Sequence, residues 1–343
     1  MGRDKKSYFK DLNKQIYDKL SEMLRNGEGT SKKEAMKNGT ANNKIFSYKT
    51  YSVYYEHCKY FAEYMKENHP EVTSLKKAQK YVPEYLQSRV DQNMSAWTVR
   101  TEAAALNKLY DIKPGDKDYF SCPKRERADI KRSRVDAVRD RHFSKTNNAE
   151  LIKFCQGTGA RREGIQNMKG KDLVTKQQID AGLKKLEEIA QNRELTPKEQ
   201  GYRQIMQDAR LFKNVDHYVF LKEKGGRERL APIIGPNKDQ IVERFQNTQP
   251  DEKVWQHVSS NADIHSYRSD YANALYKEYA RKIEDIPYDR VNKGTGKRFQ
   301  SEVWVCRKDE KGKKLDKQAM YIASKALGHN RIDVIANNYL RGI

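Results

Sequence analysis

The feature that most constrains the fold is a run of apolar residues at helical spacing between residues 47 and 68, SYKTYSVYYEHCKYFAEYMKEN. Gaps of three and four residues place these side chains on one face of a helix. The residues on that face are Tyr51, Tyr54, Tyr55, Cys58, Phe61 and Met65. Core packing is the favoured interpretation, and a platform on which nucleic-acid bases stack is the alternative.

The neighbouring segments of the first part of the chain have the same helical character. They are residues 7–29, 74–92 and 95–112. Gly27 and Gly29 are stop signals for the first of these, and Pro83 is expected to kink or split the second. Residues 1–120 are therefore predicted to form a helical domain.

The part from residue 143 onward, residues 143–343, has a mixed pattern. The stretch HYVFLKEKGGRERLAPII contains two strand-like runs around a Gly-Gly turn, which predicts a β-hairpin. The other periodic segments are helical. The predicted fold class is mainly α with a small antiparallel β-sheet (α+β), in two domains.

The charge of the chain indicates its partner. Lys and Arg total 68 against 47 Asp and Glu, a formal charge of +21, which favours a polyanion such as DNA. Residues 121–142 are a basic interdomain linker with almost no apolar periodicity. We predict that it lies along a phosphate backbone, with a merely solvated segment as the alternative. Its candidate DNA contacts are Arg132, Arg134, Arg139 and Arg141.

Several classes of protein are disfavoured. The four cysteines are far apart with no C-x-x-C pair, which argues against a zinc site and fits a reducing cytosol. The sequence has no run approaching the ~20 apolar residues of a membrane span. We expect a cytoplasmic, bacterial protein that is nucleoid-associated when bound to DNA, with no membrane partner, no cofactor and no metal.

Four short boxes together supply what phosphodiester cleavage requires. Arginines hold the phosphate oxygens, a nucleophile attacks, and an acid protonates the leaving oxygen. The candidates, in chain order, are Arg161 after T-G, Lys224 at the hairpin turn, His265 with Arg268, His329 after L-G, and Tyr339. Arg161 is expected at a helix start, where backbone amides also favour a phosphate. Arg227 and Arg229, in the same hairpin, are further candidate DNA contacts.

This set resembles the tyrosine recombinases, the phage integrase family. Its signature runs T-G-x-R, G-K-G-x-K-x-R-x-x-P, H-x-x-R, then L-G-H and a nucleophilic tyrosine. Here the boxes read TGAR, EKGGRERLAP, HSYR and LGH, followed by Tyr339. The final box, ALGHNRIDVIANNYL, is most similar to integrases of Firmicutes mobile and conjugative elements.

The resemblance implies a role for each residue. Tyr339 would be the nucleophile, Arg161 and Arg268 would hold the scissile phosphate, and Lys224 would protonate the leaving oxygen. His265 and His329 would add hydrogen bonds to the phosphate. A SAM-like helical core-binding domain and a catalytic domain would form a C-shaped clamp on duplex DNA.

Two departures from the family pattern are expected to matter. The position three after Arg161 is usually acidic but is Gly164 here, so either Glu163 steadies the arginines or that support is missing. His329 and Tyr339 are ten residues apart, one more than is usual in the family. One extra residue turns a helix by roughly 100°, so Tyr339 is expected to follow a bulge or turn at Asn337 and Asn338 and not an unbroken helix.

Two inserts interrupt the catalytic part. Residues 176–211 are predicted to form a helical hairpin that packs or contacts another protomer, in preference to reading DNA. Residues 287–316 are predicted to form a basic β-hairpin carrying Trp304. One of the inserts is expected to supply the contact between protomers.

The function that the resemblance implies is site-specific recombination at DNA attachment sites through a 3′-phosphotyrosyl intermediate, integrating or excising a mobile element. A homo-tetramer on two duplexes would act, with an accessory directionality factor as a further partner. The alternatives are a type IB topoisomerase or telomere resolvase with the same chemistry, and a catalytically silent DNA-binding relative.

Overall fold

The computed structural model describes residues 11–125, 143–223, 226–286, 302–307, 310–329 and 331–340. The chain divides into two compact units, Met1–Asp129 and Ile130–Ile343. Helices dominate and the sheets are small and antiparallel, so the predicted α+β class is confirmed. No helix in the described ranges is both long enough and apolar enough to cross a membrane.

The first unit is helical throughout its described part. Its helices are α1 (Leu12–Gly27), α2 (Lys32–Lys37), α3 (Tyr48–Asn68), α4 (Leu75–Ala78), α5 (Val82–Asp91) and α6 (Ala96–Tyr110). Tyr51, Cys58, Phe61 and Met65 of α3 are buried in its core, and Tyr54 and Tyr55 pack against that core while partly exposed. The aromatic face of α3 therefore serves core packing.

Local sequence explains where these helices begin. The side chains of Ser47 and Ser95 accept hydrogen bonds from backbone N–H groups three residues on, which caps α3 and α6. Pro83 lies in the first turn of α5, where its missing N–H costs nothing, and a short 3₁₀ turn separates α5 from α4. Pro83 thus splits the predicted helix.

The second unit alternates helices with short strands. Its elements are α7 (Ala149–Thr158), α8 (Arg162–Asn167), β1 (Leu173–Thr175), α9 (Lys176–Asn192), α10 (Pro197–Ala209), β2 (His217–Glu223), β3 (Arg227–Pro232), α11 (Lys238–Gln246), α12 (Ile264–Tyr279), β4 (Val303–Val305), β5 (Lys314–Asp316), α13 (Lys317–Ala326) and α14 (Asp333–Asn338). One antiparallel sheet has the order β1-β2-β3, and β4 pairs with β5. In the hairpin Glu223 lies opposite Arg227.

One apolar core of the second unit includes residues of α12 and α13 together with Tyr339. α12 packs against α7 and α13, and α13 also contacts β3. Tyr271 of α12 is fully buried there and donates a hydrogen bond to the carbonyl of Pro232 at the end of β3. The end of β3, the end of α7 and the segment after α13 all contact α12, through Pro232, Gly159 and Leu327.

Both inserted regions have regular structure in their described residues. Thr175 and Thr196 cap α9 and α10 with capping boxes, and Ile179 and Leu183 of α9 join the core. Lys325 of α13 forms an ion pair with Asp208 of α10 at 2.9 Å. In the second region Trp304 of β4 lies opposite Leu315 of β5, whereas residues 287–301, 308 and 309 lie outside the described residues.

Candidate functional site

Tyr339 lies at the centre of a polar cluster. It directly follows α14, and its N–H donates to the carbonyl of Ile335. Its side chain is buried, yet the hydroxyl oxygen lies 3.3 Å from Nε of Arg268 and 3.3 Å from Nε2 of His329. The hydroxyl therefore meets one cation and one imidazole within the same chain.

Arg268 is the most deeply placed arginine of the cluster. It lies on α12 with 2% of its surface exposed, and it donates to the carbonyls of Gly159 and, at 2.5 Å, of Leu327. Burial, and next the positive charge of Arg229, lower the pKa of Arg268 to about 10. The guanidinium thus stays charged at neutral pH while its neighbours fix its plane.

Arg229 of β3 is the second buried arginine. It donates to the carbonyl of Ala326 and, at 3.2 Å, to that of Gly159. Gly328 is required beside it, since a Cβ there would lie 2.8 Å from Cδ of Arg229 and the residue has a φ of +69°. The Leu-Gly-His turn therefore fits over Arg229 because it carries no side chain at that point.

Gly159 lies between the two buried arginines and the ring of Tyr271. It ends α7 with a φ of +57°, and a Cβ there would overlap the ring of Tyr271 at 2.3 Å. Its carbonyl accepts hydrogen bonds from both Arg229 and Arg268. The T-G of the first box is thus a turn that aims a carbonyl at two arginines.

Arg161 follows that turn as the N-cap of α8. Its Nη1 lies 2.5 Å from Oε2 of Glu223, and its backbone N–H donates to Oε1 of Glu223 at 2.6 Å. One third of the side chain is exposed. The amide that was expected to favour a phosphate is therefore occupied by a carboxylate, and the guanidinium is the part of Arg161 open to a ligand.

His329 and His265 flank Tyr339. Burial, and next the charges of Arg268 and Arg161, lower the pKa of His329 to about 4, so its imidazole is neutral at physiological pH. The ring of His265 stacks parallel to that of Tyr339, with centroids 5.5 Å apart and planes 3° apart. His265 is exposed, so its face away from Tyr339 is accessible.

Five of the six predicted catalytic residues come together in this way. They are Arg161, His265, Arg268, His329 and Tyr339. The sixth, Lys224, lies outside the described residues, as do the linker residues Arg132, Arg134, Arg139 and Arg141. Arg227 is exposed on the hairpin, as a DNA contact would need to be.

Two expectations need correction. Glu163 is exposed, and the described residues show no ion pair between it and Arg161 or Arg268, because its side chain leaves α8 on the solvent side. Glu223 contacts the arginines instead. Arg229 is not a surface contact, since packing beneath the segment after α13 buries it.

Sequence reasoning also missed Arg162. This residue donates to the carbonyls of Ser259 at 2.5 Å, of Ser260 at 3.1 Å and of Ala262 at 2.6 Å. It therefore ties α8 to the loop that leads into α12 and His265. The doubled arginine in GARRE was the only signal for it in the sequence.

Comparison with known proteins adds a weak structural likeness. No protein-family model matches the sequence, and no curated protein matches it. The match to XerH site-specific recombinase, bound to a palindromic difH substrate in a post-cleavage complex, has 12% identity and a TM-score of 0.44, covering 94% of this chain and 89% of that one. The match to XerA recombinase has 10% identity and a TM-score of 0.27, covering 96% of this chain and 94% of that one. At these values the likeness assigns no activity.

Proposed function

We propose that this protein is a site-specific DNA recombinase that cleaves and rejoins DNA through a 3′-phosphotyrosyl intermediate. The observation that carries the proposal is the position of the Tyr339 hydroxyl, 3.3 Å from both Nε of Arg268 and Nε2 of His329. A tyrosine beside a fixed cation and a neutral imidazole is suited to attack a phosphorus atom.

The charge balance of the cluster supports a phosphate ligand. Three guanidiniums, of Arg161, Arg229 and Arg268, lie within 4.0 Å of a single carboxylate, that of Glu223. The surplus positive charge matches a phosphodiester, whose negative charge grows as a fifth oxygen bonds to phosphorus. Preorganised donors of this kind stabilise the transition state more than the ground state.

The same geometry supports the first of the two proposed proton transfers. The Tyr339 O–H gives its proton to Nε2 of His329, whose ring can accept it once the negative charge of the bound phosphodiester offsets the arginine charges that disfavour an imidazolium. The phenolate oxygen bonds to phosphorus, the bond to the 5′ oxygen breaks, and that oxygen takes a proton, for which we propose Lys224 as the donor. Rejoining reverses each transfer, and the phosphotyrosyl bond conserves the energy, so neither metal nor ATP is needed.

The proposed activity also requires DNA and other protein molecules as partners. The charge of +21 favours duplex DNA, which the helical domain, the basic linker and the catalytic domain would each contact. Four protomers on two duplexes would exchange strands to integrate or excise a mobile element in a bacterial cytoplasm. An accessory protein would set the direction.

Covalent trapping tests the proposal. The full-length protein is incubated in EDTA with nicked duplexes that tile the ends of its host element, and the products are separated on a denaturing gel. We expect a shifted band whose tryptic peptide carries a nucleotide on Tyr339. The band should be absent with Tyr339→Phe and present with Tyr321→Phe, a matched change at an exposed tyrosine of α13.

Other outcomes distinguish the alternatives. A band that survives Tyr339→Phe would identify another nucleophile and refute the proposed one. DNA retention with no covalent band on any duplex would favour the silent binding relative. Relaxation of supercoiled plasmid without strand exchange between two duplexes would favour a topoisomerase, while the L-G-H box and the helical domain favour recombination.

A further inference from the structure

The carboxylate of Glu223 contacts every arginine of the cluster. Glu223 is the last residue of β2, and 2% of its side chain is exposed. Its Oε2 lies 2.5 Å from Nη1 of Arg161, 3.4 Å from Nε and Nη2 of Arg229, and 4.0 Å from Nη1 of Arg268. One acidic side chain thus joins three guanidiniums that come from three different elements.

The three arginines depend on this carboxylate to different degrees. Arg268 and Arg229 each donate to two backbone carbonyls as well. For the Arg161 side chain, the described residues show a hydrogen bond to Glu223 alone. Loss of the carboxylate would therefore leave the two buried arginines anchored and would release Arg161, the arginine most exposed to a ligand.

The space that Glu223 occupies exists because residue 164 is glycine. A Cβ at Gly164 would lie 3.0 Å from Oε1 and 3.4 Å from Cγ of Glu223. Contacts at 3.0 Å require one group to move, and both positions are buried. A side chain at 164 would therefore crowd the glutamate at 223, and we infer that a carboxylate reaching Arg161 could come from either position.

The carboxylate is ionised in this setting. Burial raises the pKa of Glu223, but the charges of Arg229 and Arg268 and the N–H of Arg161 outweigh it and leave the pKa below its ordinary value. A charged carboxylate makes shorter and stronger hydrogen bonds to a guanidinium than a neutral group does. The contact is therefore strong enough to fix the orientation of Arg161.

We infer that Glu223 is a positioning residue that holds Arg161 in the orientation needed to bind the scissile phosphate, and that it uses the space left by Gly164. This inference rests on the proposed function for its phosphate. The role is positional because Glu223 touches the arginines and not the reacting atoms. The residue that supports Arg161 would then lie at the end of β2, whereas the sequence had suggested Glu163 of α8.

The first test is independent of DNA cleavage. In protein with ¹⁵N-labelled arginine, the guanidinium signals of Arg161 report whether its side chain is held, with assignment by Arg161→Lys. We expect restricted, shifted signals in the unaltered protein and averaged, solvent-exchanging ones in Glu223→Gln. Glu228→Gln, the same change at a half-exposed residue of β3, should leave them restricted. Unchanged Arg161 signals in Glu223→Gln would overturn the inference.

The second test separates catalysis from binding. Glu223→Gln should lower the rate of covalent bond formation by about 100-fold, as loss of one oriented donor does, while affinity for the same nicked duplex stays within about threefold. A loss of rate that follows loss of affinity or of thermal stability would mean a structural role and would refute positioning. If the unaltered protein forms no covalent bond, the proposed function fails while the arginine signals still test Glu223.

A third test moves the carboxylate from position 223 to position 164. Glu223→Gly and Gly164→Glu are each expected to be impaired, the first by the missing carboxylate and the second by crowding against Glu223. The double variant should form the covalent bond at least about tenfold faster than Glu223→Gly, a recovery of roughly 1.4 kcal/mol in activation free energy. A double variant no faster than Glu223→Gly would show that the carboxylate cannot act from position 164.

Discussion

Each unit of this protein buries a glutamate against arginine, and the two sites differ in their charge balance. Glu102 of α6 is fully buried and accepts from Nε and Nη2 of Arg89 at 3.0 to 3.3 Å, and from the Tyr85 hydroxyl at 3.0 Å. Its one negative charge meets one guanidinium in a bidentate pair. Such a site is complete without any ligand.

The site around Glu223, by contrast, has more positive than negative charge. Among the described residues one carboxylate lies beside Arg161, Arg229 and Arg268, which leaves a surplus of two positive charges in that part of the cluster. Buried charges without counter-charges are costly to maintain. A balanced buried pair needs no further counter-charge, whereas the unbalanced cluster keeps positive charge for which we propose an anionic ligand.

The largest expected effect comes from removing a charge of the unbalanced site. Arg268→Gln should slow covalent bond formation on nicked DNA by about 10³-fold, because the Tyr339 hydroxyl and the phosphate both lose a fixed cation. Single-turnover kinetics at saturating protein would measure it. Arg331→Gln, which alters an exposed arginine after α13, serves as the control and should react at the normal rate. Equal rates for both variants would contradict the assignment.

Breaking the balanced pair should affect stability instead. Arg89→Met leaves Glu102 buried and uncompensated, which should lower the free energy of unfolding by about 3–5 kcal/mol. Urea denaturation followed by far-ultraviolet circular dichroism would measure this. Adding Glu102→Met should recover most of the loss, because two apolar residues then replace the pair. A double variant as unstable as Arg89→Met would show that the pair does more than balance charge.

The unbalanced site should also make the stability of the protein depend on pH, through His329. The pKa of His329 is lowered from 6.5 to about 4 in the folded protein. Unfolding therefore takes up a proton between these values, so stability is complete above pH 6.5 and declines as the pH falls toward 4. Allowing for the water contact of the ring, the decline is about 1–2 kcal/mol.

The measurement is the free energy of unfolding at several pH values in the unaltered protein and in His329→Gln. The difference between the two should change between pH 6.5 and 4, since all other titrating groups are shared. A constant difference over that range would mean that burial and the neighbouring arginines do not lower the pKa of His329.

The smallest effect concerns an ion pair that water reaches. Lys325 of α13 and Asp208 of α10 are 2.9 Å apart and about one fifth exposed. Lys325→Met should lower the free energy of unfolding by roughly 0.5–1 kcal/mol. Thermal denaturation would measure it against Lys184→Met, at an exposed lysine of α9. A loss as large as that of Arg89→Met would mean that the helical insert is essential to the core.

The features that could be predicted from the sequence are those that depend on residues close together in the chain. Helical periodicity and capping residues indicated a mainly α fold with a small antiparallel sheet, because both act over a few residues. β1 escaped prediction because three residues are too short to show alternation. Likewise, the linker arginines and Lys224 remain predictions, since they lie outside the described residues.

The site was predictable in its residue types and less so in its supports. Arg161, Arg268, His329 and Tyr339 stand in recognisable boxes, so their convergence could be expected. Glu223 could not be, because it meets Arg161 across 62 residues and only the packing of α8 against β2 brings them together. The burial of Arg229 has the same origin, since a hairpin arginine gives no local sign of the helix end that covers it.

The contacts of Tyr339 have a genetic consequence. In the described part of the chain, the hydroxyl contacts Arg268 and His329 of its own chain. Two defective copies, one lacking Tyr339 and the other lacking Arg268, should therefore fail to complement each other when mixed. A Tyr339→Phe copy would keep its arginines and still occupy DNA, so it should act as a dominant inhibitor of the intact protein.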